Sequence, residues 1–217
     1  MNINVINKTR QKRIAVGGSA ANPPHLGHRV LIEFLLNYGN FDEVIWMPSG
    51  IRPDKNNLID PNHRVAMTML TFELSWLYGA KTVFSINFQD VYGANTPTID
   101  WLRRIKKENH RAEIIWYTGV DSVIPQAKYG GNCEIATWEG GREIMEKWNI
   151  CVLPRPGYEH PSKLALAKNV YFLEANLPDI SSTDIVSKIS SGEPFENLVT
   201  EAVATYIKKF KLYGFSS

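Results

Sequence analysis

The sequence predicts an α/β fold: a doubly wound, mostly parallel sheet with helices on both faces and a small helical part toward the C-terminal end. Three observations carry this. Short apolar runs alternate with helix-period segments along the chain, as in a parallel sheet flanked by helices. The first apolar run ends in a glycine pair and leads straight into a helix. The 217 residues contain no internal repeat and suffice for one sizeable core. The expected organisation is a basic tail over residues 1–12 and one domain over 13–217, helical from about 180. The run Lys8, Arg10, Lys12, Arg13 reads as solvated.

The strand candidates are Arg13–Val16, Glu43–Met47, Thr82–Phe88, Ala112–Tyr117, Ile150–Leu153 and Val170–Glu174. A helix begins near Leu26. Asp60-Pro61 opens another, with an acidic cap followed by proline at the first helical position. Its stripe Val65, Met69, Phe72, Trp76 has helical spacing and is expected to pack on the sheet. A helix spans about Thr98 to Asn109, and the glycines around Glu134–Thr137 suggest a mobile loop. Ser181–Ser190 begins with three hydroxyl residues. Phe195–Leu212 reads as one helix whose stripe, from Leu198 through Val203 and Ile207 to Phe210, is a packing face.

Composition excludes several classes. With 44% hydrophobic and 21% charged residues the chain is an ordinary globular one. A net charge of +2 is too small for a general nucleic-acid surface. Cys133 and Cys151 form no C-x-x-C pattern, so a reduced, cytoplasmic setting is expected rather than a disulfide or zinc framework. No apolar run reaches membrane-span length, and no leader is recognisable. Oligomeric state, including a homo-oligomer, stays open.

The stretch Gly17-Gly18-Ser19-Ala20-Ala21-Asn22-Pro23-Pro24-His25-Leu26-Gly27-His28 organises the rest. Glycines at a strand end let backbone turn tightly and approach a ligand. A helix starting at Leu26 aims N–H groups and partial positive charge at that turn, which makes an anion site. His25 and His28 sit one helical turn apart at its mouth, each able to donate to a phosphate oxygen. No carboxylate or cysteine lies nearby in sequence to complete a metal site, so none is expected there. Arg52 and Lys55 in a proline-bounded loop can bring cations over a phosphate. Thr98 opens a helix, where an anion or a simple cap fits equally. Asp121 follows the fourth strand, placed to accept from ribose hydroxyls or to cap the next turn. Ser181, Ser182 and Thr183, after Ile180, form a second cradle opposite the first.

The His-x-Gly-His spacing of His25, Gly27 and His28 after a glycine-rich first strand resembles the nucleotidyltransferase superfamily, with its Rossmann-like sheet. From Ile14 to about Ile189 further segments are similar to bacterial nicotinate-mononucleotide adenylyltransferases: Pro48 to Lys55, Asn95 to Leu102, Gly119-Val120-Asp121, Trp138, Arg155-Pro156-Gly157, and Ile180-Ser181-Ser182-Thr183. The resemblance implies an enzyme that joins ATP and nicotinate mononucleotide, with Mg2+ accompanying ATP. It implies catalysis by His25, His28 and Lys55. ATP would lie on Gly17, Gly18, Ser19, Gly119, Asp121 and the 180–183 segment. The acceptor would meet Lys55, Thr98, Trp138 and Arg155, with Trp138 against the pyridine ring. The chain departs from the pattern at Val186, where the family carries arginine, and by one extra residue between Gly18 and His25. A sister transferase with another acceptor, such as nicotinamide mononucleotide or pantetheine phosphate, and a non-catalytic nucleotide-binding protein are the alternatives.

Overall fold

All six strand candidates enter one parallel sheet. The computed structural model describes residues 10–51, 57–73, 81–94, 96–158 and 168–216. The strands are β1 (Arg13–Gly17), β2 (Glu43–Trp46), β3 (Val83–Ile86), β4 (Glu113–Gly119), β5 (Asn149–Leu153) and β6 (Val170–Phe172), in the order β3-β2-β1-β4-β5-β6. Every neighbouring pair is parallel. The order reverses between β1 and β4, and a doubly wound sheet opens its ligand crevice at such a point, beyond the carboxyl ends of the strands.

Side chains alternate across the sheet, as the strand period requires. Ala15, Val44, Ile115 and Cys151 face helix α1 (Leu26–Tyr38) through Ile32, Leu35 and Leu36. Ile14, Ile45, Ile114 and Ile150 face the opposite side, where α3 (Thr98–Glu108) contributes Ile99, Leu102 and Ile105 and α4 (Gly141–Lys147) contributes Ile144. Burial at the centre of β5 pushes the Cys151 thiol up to about 12.

A third cluster is helical. It joins α2 (Pro61–Thr71), α5 (Ser182–Ser191) and α6 (Glu201–Phe210) through Met67, Ile185, Ile189, Val203 and Ile207. Two expectations need correcting here. The buried face of α2 is Arg64, Met67, Thr68 and Thr71, whereas Met69 is 51% exposed. The face turns toward the C-terminal helices, so only Phe72, at the cap, reaches the sheet cluster; Trp76 lies outside the described residues. The stretch 195–212 is not one helix either. The Thr200 side chain accepts from the Val203 N–H and starts α6 afresh after a short 3-10 turn.

Over its described part the basic run is exposed at Arg10 and Lys12, while Arg13 is half-buried. Arg10 pairs with Asp42, Lys12 with Glu43, and Arg13 with Glu113 as the first residue of β1.

The least expected core residue is Arg64, which is 1% exposed. Its guanidinium donates to the carbonyls of Ala20 and Ser49 at 2.9 and 2.8 Å, and of Val91 at 3.2 Å. One fork thereby ties three segments at the carboxyl ends of β1, β2 and β3. Arg64→Met should lower unfolding free energy by about 3 kcal/mol, since three buried carbonyls lose a charged donor. Arg64→Lys should recover little of it, because a point charge cannot span the three acceptors. Urea unfolding of the two variants checks both.

Candidate active site

The crevice at the reversal is a cleft of about 1150 Å³. Its floor is the turn after β1. A Cβ on Gly18 would sit 1.8 Å from the Met47 carbonyl oxygen, so only glycine lets β1 leave the sheet so close to β2. Gly17 serves differently from its expected ligand role. The Tyr117 ring occupies the place of its missing side chain, at 2.5 Å, and Gly17 is absent from the cleft wall. The Ser49 N–H donates to the Ser19 carbonyl at 3.0 Å, and the Ala21 N–H donates to Ser19 Oγ at 3.0 Å.

The extra residue of this turn is absorbed in a compact loop. Ala21 takes a left-handed φ of 50°, a strained setting for a residue other than glycine. Asn22, 6% exposed, holds the loop in place. Its Oδ1 accepts from the Ile59 N–H and the Tyr213 hydroxyl, and its Nδ2 donates to the Asn57 carbonyl.

His25 is the N-cap of α1, and His28 stacks on it with ring centroids 3.7 Å apart. The backbone N–H of His25 donates to His28 Nδ1 at 3.2 Å. An Nδ1 that accepts puts the His28 ring proton on Nε2, where it is a donor. Gly27 makes room for this pair: a Cβ there would lie 2.9 Å from His25 Nδ1. Burial, with the nearby Arg155 charge adding to it, drives the His25 pKa down to about 4. His25 is therefore neutral near pH 7. Its Nδ1 is buried with no protein partner although the residue lines the cleft. Together with the first N–H groups of α1, which have no acceptor within the helix, this gives a mouth of donors without a full positive charge.

Beside the mouth of α1 stands the start of α5. Both of its serine hydroxyls are engaged: Ser181 Oγ donates to Asp184 and accepts its N–H, and Ser182 Oγ donates to the Pro23 carbonyl at 2.8 Å. Ser182 thus ties the second cradle to the first. Ile180, Ser181, Ser182 and Thr183 all line the cleft, with the leading N–H groups of the helix. Val186 is not among the cleft residues, and Lys188 is paired with Glu193 at 3.1 Å on another face of α5.

The far wall is aromatic. Trp138 meets Trp116 edge-on with centroids 5.5 Å apart, and Trp101 and Tyr129 join them. Thr98 lines this end as the first residue of α3. It makes no capping bond, and Pro97 occupies the cap position. The preceding loop is organised by Asp90, which accepts from Thr96 at 2.8 Å and from both ends of the Arg104 guanidinium. Burial works to raise the Asp90 pKa, but those bonds prevail and hold it below the usual carboxylate range. Glu134–Thr137 is a 3-10 turn pinned by the fully buried Ile135, in place of the expected mobile loop.

The structure brings His25, His28, Gly18, Ser19, Thr98 and Trp138 to one cleft. Gly119, Asp121, Arg155 and the 180–183 segment complete it. Gly17 stays outside. Arg52 and Lys55 lie outside the described residues. Sequence reasoning missed Trp116, Glu134 and Glu139 on the cleft wall; Arg64 stood out in sequence as similar to an arginine of the family or as a surface residue, and the structure buries it beneath the cleft. Alternation along β4 from Ile114 could have flagged Trp116; nothing local signals the others.

Residues 16–188 match the model of the cytidylyltransferase-like family. A Clavibacter sepedonicus protein described as "Probable nicotinate-nucleotide adenylyltransferase" is 30% identical over 94% of this chain and 96% of its own. A Thermoanaerobacter sp. (strain X514) protein of the same description is 29% identical, over 94% and 95%. Among solved structures, the Plasmodium falciparum nicotinic acid mononucleotide adenylyltransferase complexed with NaAD shares the fold, with a TM-score of 0.76 at 18% identity, covering 95% of this chain and 99% of that one.

The low His25 pKa has a consequence for stability. Below the ordinary value of 6.5 the unfolded chain takes up a proton that the folded chain refuses until about pH 4. Its contribution to stability is therefore complete above pH 6.5 and lost as pH falls toward 4, by about 3 kcal/mol at most. His25→Asn should flatten this part of the pH–stability curve, read by urea unfolding at steps from pH 7 to 4.

Proposed function

The chain belongs to the cytidylyltransferase-like family, and from that membership we propose that it is a nucleotidyltransferase joining ATP to nicotinate mononucleotide. The products are nicotinate adenine dinucleotide and pyrophosphate, a step of NAD biosynthesis. The observation that carries the reading is the stacked His25–His28 pair at the mouth of α1, inside a cleft with a second helix mouth beside it and aromatic rings along its wall.

The acceptor phosphate oxygen attacks the α-phosphorus of ATP, a P–O bond to that oxygen forms, and the bond to the bridging oxygen of pyrophosphate breaks. The attacking oxygen is already anionic, so no protein nucleophile or strong base is required. Catalysis is positioning and charge stabilisation. His28, with its proton on Nε2, donates to the transferring phosphoryl group. His25, neutral, adds a donor or acceptor without repelling its stacked neighbour. The α1 N–H groups and Gly18 cradle one part of the triphosphate, and the α5 N–H groups with Thr183 another. Lys55 brings a cation over the reacting phosphates. The adenosine ribose lies toward Asp121. The pyridine ring of the acceptor lies against Trp138 and Trp116, with its carboxylate at the start of α3 beside Thr98.

Magnesium enters on the triphosphate and offsets its charge.

His28→Ala should cut turnover by about a hundredfold, the scale for losing one donor to a developing charge. The measurement is pyrophosphate release with ATP and, in parallel, nicotinate mononucleotide, nicotinamide mononucleotide or pantetheine phosphate. Preference for the nicotinate acceptor supports the reading; ATP binding without release for any acceptor overturns it.

A further inference from the structure

The cleft holds an ion pair in the path of its own ligand. Asp121 and Arg155 sit across adjacent strands: Gly119 of β4 is paired in register with Leu153 of β5, and each charged residue follows two positions later. Both therefore emerge together at the carboxyl end of the sheet. Gly119 permits the approach, since a Cβ there would lie 2.4 Å from Asp121 Oδ1. The other carboxylate oxygen takes Arg155 Nη1.

Among the described residues lining the cleft, Arg155 is the one lysine or arginine. The remaining fixed charges there are the carboxylates of Asp121, Glu134 and Glu139. Left in place, the pair cancels the cation and presents a polyphosphate with an acidic wall. Yet the pair is shielded on one side only, with the Arg155 side chain 46% exposed and that of Asp121 17%, and an ion pair open to solvent at its cation is weakly held. A phosphate offers the guanidinium two oxygens in a matching fork and a higher charge, so it outcompetes a single carboxylate oxygen. Arg155 also lies on the phosphate side of the cleft, since His25 feels its charge.

We propose that Asp121 and Arg155 form an exchange contact: on nucleotide binding Arg155 leaves the carboxylate for phosphate oxygens, and Asp121, released, accepts from the ribose hydroxyls. This rests on the nucleotide-binding reading above and adds a regulating step to it. Asp121 acts as a brake on bare phosphate and Arg155 as the cation it restrains, so the site favours a phosphate that arrives attached to a ribose.

The test separates the two halves of the ligand. Calorimetry with inorganic pyrophosphate, which has no ribose, is run on the full chain and on Asp121→Asn, Arg155→Gln and the double variant. Exchange predicts about fivefold or tighter pyrophosphate binding in Asp121→Asn, about tenfold weaker binding in Arg155→Gln, and a double variant no better than Arg155→Gln. Adenosine should bind Asp121→Asn more weakly than the unaltered chain. A direct readout guards against a misfolded variant: in the unaltered chain, the Arg155 guanidinium resonance should move on addition of pyrophosphate. Unchanged or weaker pyrophosphate binding in Asp121→Asn, or a stationary Arg155 resonance, overturns the exchange. Turnover of ATP and nicotinate mononucleotide by the unaltered chain is measured separately, so a static pair in an active enzyme defeats the exchange alone, and a moving pair in an inactive one defeats the catalytic reading alone.

Discussion

A buried guanidinium holds the cleft's rim. Arg64 bonds the carbonyls of Ala20, Ser49 and Val91, which belong to loops following three different strands. These loops must leave the sheet where a crevice opens, so they cannot satisfy their carbonyls within strand pairing. An arginine reaching up from α2 meets that need with one planar fork, and its charge strengthens each bond. The segments that follow β1, β2 and β3 are then referenced to α2, which itself packs against the C-terminal helices.

The same logic governs the histidines. Two imidazoles stacked at 3.7 Å cannot both carry charge cheaply. Burial resolves the conflict by keeping His25 neutral, and the backbone N–H of His25 resolves the tautomer of His28. The result is a mouth of ring and helix N–H donors at the start of α1.

The sheet was legible because its strands are short apolar runs bounded by turn residues, and burial on both faces demands that composition. The His25–His28 mouth was legible for a local reason: strand, glycines and helix start are contiguous. The face of α2 was not, since its buried positions include an arginine and two threonines while apolar Met69 points to solvent; hydropathy favours the wrong stripe when the core contact is a polar clamp. The break before α6 depends on one threonine side chain preferring a cap to a helix interior. The bond of the Ser182 hydroxyl to Pro23, 159 residues away in sequence, was not legible either. The Asp121–Arg155 pairing likewise exists only through the β4–β5 register.

That Ser182–Pro23 bond joins the start of α5 to the loop that ends in His25. The two helix mouths are consequently latched side by side, so that a single anion can meet the leading N–H groups of both.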